Sequence, residues 1–205
     1  MFTLLTRQAA AALRVLIVLT VVLGVAYPLA VWGVSRLPGL HDRAEGSVLT
    51  APGGTPTGSS LIGIDPVAVD PAADPFFHTR PSASATDVLG PGDPSTSGGS
   101  NKGTFNPDLL AAVEQRRTLI AAREGIDPAR VPPDAVTASA SGIDPHISPE
   151  YAALQVPRVA RVTGLSEADV RRLVADATGG RGFGFLGEPA VNVTELNLAV
   201  AGAAH

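Results

Sequence analysis

The longest apolar stretch in the chain runs from Val15 to Ser35, between Arg14 and Arg36, and contains no charged residue. At about 1.5 Å rise per residue, a helix of this length spans roughly 30 Å, the hydrocarbon thickness of a bilayer. A soluble core helix keeps a polar face, so the pattern predicts one transmembrane helix over residues 15–35. It separates a short arm, residues 1–14, from a domain, residues 36–205. The alternative is a cleaved signal peptide, whose apolar core is about 7–15 residues and ends in small residues of the A-x-A kind. Here the outer end reads Leu29-Ala30-Val31-Trp32-Gly33, which favours a retained anchor with Trp32 at the interface. Ala26, Ala30 and Gly33 share one helical face. They are either a stripe for close packing against another helix or a chance spacing in an Ala-rich chain. Pro28 removes a backbone donor and predicts a kink.

Beyond the span the pattern breaks up. Gly46 to Pro107 holds 19 of the chain's 40 Gly and Pro residues. Residues 36–59 read as a linker off the membrane. Ser60–Ile64 is a short strand candidate stopped by Asp65-Pro66. Asp74–Ala85, with Phe76-Phe77, has enough apolar mass to be pinned to a core. Thr86–Gly103 is Gly/Ser/Pro/Asp-rich and is expected to be mobile from its composition. A helix then begins at Pro107 behind an Asn106 cap, carries Leu109, Val113 and Ile120, and ends at Gly125. Ile126–Asp134 reads as a Pro-rich connection, Ala135–Ser139 as a strand, and Ser141–Pro149 as an irregular loop.

A second helix is expected from Ser148-Pro149-Glu150 toward Thr163, with Pro157 kinking or splitting it. A third starts at Ser166, with Asp169 in a capping-box position and Leu165 stapled to Val170. Val170, Leu173, Val174 and Ala177 follow the helical repeat, and Gly179-Gly180 closes it. Val191–Val200 fits strand and short helix in part. Together these elements predict a small mixed α+β domain anchored by one N-terminal transmembrane helix, with no internal repeat.

Charge sets the expected orientation. The first 37 residues carry +3 and the remainder −7. Lys and Arg alone nearly tie across the flanks, so the wider balance decides for N-terminus inside and domain outside. The acidic outer part excludes nucleic acid as a partner. With no cysteine, disulfides and Cys-ligated metals are excluded too.

Motifs for chemistry are weak. Gly182-Phe183-Gly184-Phe185-Leu186-Gly187 matches GxGxxG, but a dinucleotide fingerprint follows a strand and opens a helix, whereas this one follows a helix and precedes Glu188-Pro189. Gly98–Thr104 holds the ingredients of a phosphate loop in the wrong order. His78 and His146 lack a nucleophile elbow or a helical metal spacing, so a membrane-anchored outer enzyme using them is the second reading. Asn192-Val193-Thr194 fits a glycosylation sequon. Ser139, Ser141, Gly142, Asp144, Pro145, His146 and Ser148 crowd hydroxyls, a carboxylate and an imidazole between two elements, either as a self-bonded scaffold or as a docking surface.

Several blocks resemble the C subunit of the bacterial Kdp potassium-transporting ATPase. They are Gly58-Ser59-Ser60-Leu61-Ile62-Gly63, Phe77-His78-Thr79-Arg80-Pro81-Ser82-Ala83 and Ser97-Gly98-Gly99-Ser100-Asn101. Val136-Thr137-Ala138-Ser139, Ser141-Gly142-Ile143-Asp144-Pro145-His146-Ile147-Ser148 and Gln155-Val156-Pro157-Arg158-Val159-Ala160 follow. Val191-Asn192-Val193 and Leu196-Asn197-Leu198 come last. The resemblance implies an accessory membrane subunit beside a channel-like potassium-translocating subunit and a P-type ATPase subunit. It implies a catalytic chaperone that raises the ATPase subunit's ATP affinity, with ATP and potassium belonging to the complex rather than to this chain. It also implies a nucleotide contact at Gln155, next to Arg158. That contact conflicts with the expected topology, since ATP is cytoplasmic and Gln155 would lie outside.

Overall fold

The computed structural model describes residues 2–51 and 53–204. They form two units, residues 1–47 and 48–205, taken separately below.

The first unit is an apolar helix, Phe2–Ser35, none of it buried. It begins well before Val15, so residues 2–14 are its first turns. It consists of α1 (Phe2–Val21), a π-helical turn (Val22–Ala26) and α2 (Tyr27–Ser35). The π-turn answers Pro28. The Tyr27 N–H reaches back five residues to the Val22 carbonyl, so one extra residue is accommodated just ahead of the missing proline donor. At the far end the Arg36 guanidinium lies 5.2 Å from the Trp32 ring centroid and pairs with Glu45 at 2.7 Å. A short helix, α3 (His41–Ala44), follows.

The second unit starts where a linker was expected. β1 (Val48–Thr50) and β2 (Pro56–Ser59) pair as an antiparallel hairpin. The strand expected at Ser60–Ile64 does not form. That segment is irregular, and its carbonyls are bound from elsewhere: Asn192 Nδ2 donates to Ser60 O at 2.8 Å and Thr194 Oγ1 to Ile62 O at 3.0 Å. Gly63 is required here, because a Cβ would meet the Asp144 carbonyl oxygen at 2.4 Å.

α4 (Pro107–Glu124) has Asn106 accepting from the Asp108 and Leu109 N–H groups, and left-handed Gly125 closing it. α5 (Pro133–Val136) replaces the strand expected at Ala135–Ser139. Pro133 pre-sets the first helical φ, and five residues of weak alternation carry too little signal to oppose it. β3 (His146–Ile147) lies inside the expected loop. α6 (Pro149–Thr163) runs through Pro157 unbroken. Pro157 and Ala153, the residue whose carbonyl it deprives of a donor, both lie on the exposed face, where water satisfies that carbonyl. α7 (Glu167–Asp176) has the Ser166 cap accepting from Asp169 N–H. β4 (Thr178–Gly179), β5 (Ala190–Asn192) and α8 (Val193–Ala203) complete the chain. The ambiguous Val191–Val200 stretch is thus strand and then helix, switching at Asn192, whose side chain accepts from Glu195 N–H.

The three short strands form an antiparallel sheet in the order β3-β5-β4. The core gathers Val191 of the sheet, Tyr151, Val156 and Val159 of α6, Val170 of α7, Ile120 of α4 and Val193 and Leu196 of α8, all fully or almost fully buried. Phe77, on no regular element, is buried among them as expected. Thr86–Gly103 is irregular yet tied down: Asp93 accepts from Ser95 and Thr96, and the Gly98 N–H donates to Ser141 O at 2.8 Å.

Candidate functional site

The polar centre of the domain is built on an extended segment that pairs with no strand among the described residues. Residues 76–79 have their backbone groups bound by side chains instead. Asn197 Oδ1 accepts from Phe77 N–H and its Nδ2 donates to Phe77 O, both at 2.8 Å. Gln155 Oε1 accepts from His78 N–H at 2.8 Å and its Nε2 donates to His78 O at 3.3 Å. Asp65 accepts from Thr79 N–H at 3.0 Å, and Asp74 from Phe76 N–H at 3.0 Å. Two side-chain amides, from α8 and α6, thus do what a neighbouring strand would do, because a carboxamide offers the same donor–acceptor pair as a peptide.

Arg158 lies against this segment. Its Nη1 donates to the Asp74 and Phe76 carbonyls at 2.8 and 2.9 Å, its Nη2 to Gln155 Oε1 at 3.1 Å, and its Nε to Glu124 at 3.0 Å. Glu124 occupies the last turn of α4, the end where the helix dipole disfavours an anion. It is held there, with no side-chain exposure, by Arg158 and by Arg123 at 2.7 Å. Arg123 also donates to the Tyr151 hydroxyl at 3.1 Å.

His78 sits between two carboxylates, with Nε2 at 2.5 Å from Asp74 Oδ2 and Nδ1 at 3.0 Å from Asp65 Oδ1. A neutral imidazole has one N–H and cannot donate to both, so the geometry belongs to the imidazolium. Burial opposes that charge, but the Asp65 and Asp74 hydrogen bonds outweigh it and raise the His78 pKa above its ordinary value. Burial also pushes Asp74 up, yet His78 and then the Phe76 N–H and Arg158 hold it below the usual carboxylate range. A cavity of about 660 Å³ opens beside this pair, walled by Val67, Pro71, Val88 and Leu119.

A second cluster holds the loop before α6. Ser148 Oγ and N–H both donate to Asp134, at 2.8 Å each, while Ser148 Oγ accepts from Tyr151 N–H. Asp144 Oδ1 accepts from His146 N–H at 3.0 Å, and Arg80 Nη1 reaches Asp144 at 3.5 Å and Nη2 the Thr137 and Ala138 carbonyls. Arg80 Nε is buried without a partner among the described residues. Ser139 Oγ accepts from Gly142 N–H and contacts Ser141, whose own Oγ accepts from Ile143 N–H. Gly142 has φ 74°, and a Cβ there would meet Gly98 O at 2.8 Å. Pro81 O accepts from Ser139 N–H at 2.9 Å, and the Ser82 and Ser84 hydroxyls are 2.9 Å apart. Pro145 O accepts from Val193 N–H at 2.8 Å, joining β3 to the start of α8.

The expected site residues therefore divide. His78, Gln155, Arg158 and Asn197 meet in one buried network. Arg80, Ser82, Ser139, Ser141, Gly142, Asp144, Pro145 and Ser148 form the adjoining scaffold, and Asn192 ties the sheet to Ser60. His146, Ser100 and Asn101 are exposed; the His146 ring lies 3.3 Å from Asp144 Oδ1, and its backbone pairs with Asn192 in the β3–β5 ladder. Asn192 is 6% exposed with its amide committed, which leaves the sequon closed to modification. Gly182–Gly187 is the turn between β4 and β5 and opens no helix. Asp65, Asp74, Glu124 and Asp134 escaped the sequence reading; Asp65 looks like a loop stop there, and Asp74 and Glu124 carry no spacing that links them to Arg158.

The whole architecture can now be set beside known proteins. A family profile described as K+-transporting ATPase, c chain, matches residues 9–202. The chain belongs to this family. It is 52% identical over 202 residues to the Potassium-transporting ATPase KdpC subunit of Kineococcus radiotolerans, covering 98% of this chain and 97% of that protein. It is 45% identical over 190 residues to the protein of the same name from Dechloromonas aromatica, covering 92% and 94%. The corresponding Mycobacterium tuberculosis protein is 45% identical over 196 residues, covering 95% and 97%. Both side-chain clusters fall inside the matched region, residues 9–202. The chain is accordingly an accessory subunit of potassium uptake, carrying one N-terminal helix long and apolar enough to cross a membrane.

Proposed function

We propose that this chain works as a non-catalytic chaperone of an ATP-driven potassium pump. It raises the ATP affinity of a P-type ATPase subunit by contact and contributes no group to the chemistry. Its N-terminus lies inside, residues 15–35 cross the membrane, and the domain stands outside against a channel-like subunit. Neither ATP nor potassium is bound by the chain itself; both belong to the complex.

The observation that carries this reading is the state of Gln155. Its side chain has no exposure, and its amide is bonded to His78 N–H, His78 O and Arg158. A residue so committed cannot turn to a nucleotide without leaving buried groups unpaired. Arg158, 5% exposed, is committed in the same way. What the domain offers is a shape, and a shape acts on ATP turnover by favouring one assembled state of its partners over another.

Two measurements test this. The chain, purified from its native membrane, brings the channel-like and ATPase subunits with it; recovery of the chain alone overturns the reading. The Ser95→Cys variant, whose cysteine is the only one in the chain, reacts with an impermeant thiol reagent on intact cells. Labelling only after lysis overturns the orientation.

A further inference from the structure

The turn between β4 and β5 displays a cluster of bulky apolar side chains on a hydrogen-bonded support. Phe183, Phe185 and Leu186 are 92%, 70% and 53% exposed. The backbone that shows them is closed on itself. Gly182 N–H donates to Leu186 O at 2.8 Å and Leu186 N–H to Gly182 O at 2.9 Å, with Gly184 N–H on Arg181 O and Phe185 N–H on Gly182 O. Phe183 is held at φ 51°, flanked by Gly184 at 83°. The left-handed region is unfavourable for an aromatic residue, and such conformations persist where the surroundings enforce them. At the base of the turn Arg181 and Glu188 pair at 2.6 Å, cancelling the nearest charges.

The tip thus presents two aromatic rings and a leucine, with the N–H groups of Gly182, Gly184, Phe185 and Leu186 turned inward. Rigid aromatic groups at the centre of a desolvated patch are the usual anchors of protein interfaces, and a preformed turn lowers the entropy lost on docking. Charge distinguishes a protein from a bilayer as the occupant. Surface-bound lipid anchors combine apolar groups with Lys or Arg facing anionic headgroups. Here the chain is −4 overall, and the arginine at the base of the turn is already paired with Glu188.

We propose that the Gly182–Gly187 turn is a docking knob, with Phe183 and Phe185 seated in an apolar socket on another subunit of the same potassium-transporting ATPase. This rests on the reading of the chain as a subunit. The socket is apolar and needs no donors or acceptors for the turn's backbone.

The test uses the full chain co-expressed with the other subunits, with p-benzoylphenylalanine in place of Phe185. Ultraviolet light is expected to link position 185 to one of those subunits, identified from the mass of the crosslinked peptide. The Phe183→Ser/Phe185→Ser variant is expected to lower recovery of the complex about ten-fold or more, with an unchanged unfolding midpoint for the purified chain. Adducts to lipid alone give the turn to the bilayer and overturn the proposal. An intact complex without any crosslink at 185, or full recovery of the double variant, overturns the knob and leaves the subunit reading standing. If the unsubstituted chain recovers no other subunit, that reading fails and the knob with it.

Discussion

Replacing Gln155 by Ala should unfold the domain's polar centre before it alters any chemistry. The substitution removes the acceptor of His78 N–H, the donor to His78 O and one partner of Arg158. Gln155 is fully buried, so water cannot replace the lost partners without entering the core. A buried backbone group left unpaired costs about 1–3 kcal/mol. Two such groups give roughly 2–6 kcal/mol, before any cavity left by the missing side chain. Small domains are stable by about 5–15 kcal/mol in total, so this loss is a large share. The assay is urea unfolding of the purified full chain in detergent, with the folded fraction read by pulse proteolysis and compared with the unsubstituted protein. A loss below about 0.5 kcal/mol, the size of an ordinary surface change, would refute the reasoning and free Gln155 for a role outside the fold.

The other perturbations follow from the same contacts. The His78 pKa is raised in the folded state, so its stabilising contribution is fully present below about pH 6.5, the unfolded value, and is lost as pH rises through the raised folded value. Urea midpoints measured upward from pH 6 should therefore fall, and His78→Gln should flatten that fall; an unchanged slope contradicts the imidazolium assignment. Asp144→Ala should cost about 0.5–1.5 kcal/mol by freeing His146 N–H and weakening the Arg80 contact, whereas exposed His146→Ala should leave the unfolding midpoint within about 0.5 kcal/mol and reduce assembly instead; equal midpoints for the two variants would show that Asp144 does not hold its loop. Ala30→Leu should preserve membrane insertion and reduce recovery of the complex, because leucine suits lipid but blocks a close helix crossing; undiminished recovery would show that the Ala26, Ala30 and Gly33 stripe packs against nothing.

Local signals in the sequence are strong where one residue decides the conformation. Asn106-Pro107, Ser148-Pro149 and Ser166 set helix starts because each supplies a cap acceptor or a preset φ at a position that needs it. The apolar run was equally legible, although the helix starts at Phe2 because Arg7 and Arg14 interrupt hydropathy without interrupting helical backbone. β3 and β4 were hidden because strands of two residues are too short for alternation to register. Pro157 misled because a proline's cost depends on whether the carbonyl it orphans faces water, which local sequence does not state. The polar network was the least legible. Asp74 and Arg158 are 84 positions apart, and only the tertiary fold brings them together. The family blocks did mark His78, Gln155, Arg158 and Asn197 as special, but their shared task, binding the backbone of an unpaired extended segment, becomes visible only in the structure.

The central claim is that the chain acts on ATP turnover through its partners. Potassium-stimulated ATPase activity, titrated with ATP on the purified complex with the chain, without it, and after adding it back, tests this most directly. Removal should weaken the apparent ATP affinity or dissociate the complex, and addition of the intact chain should restore the original curve. Superimposable titrations with and without the chain would contradict the account.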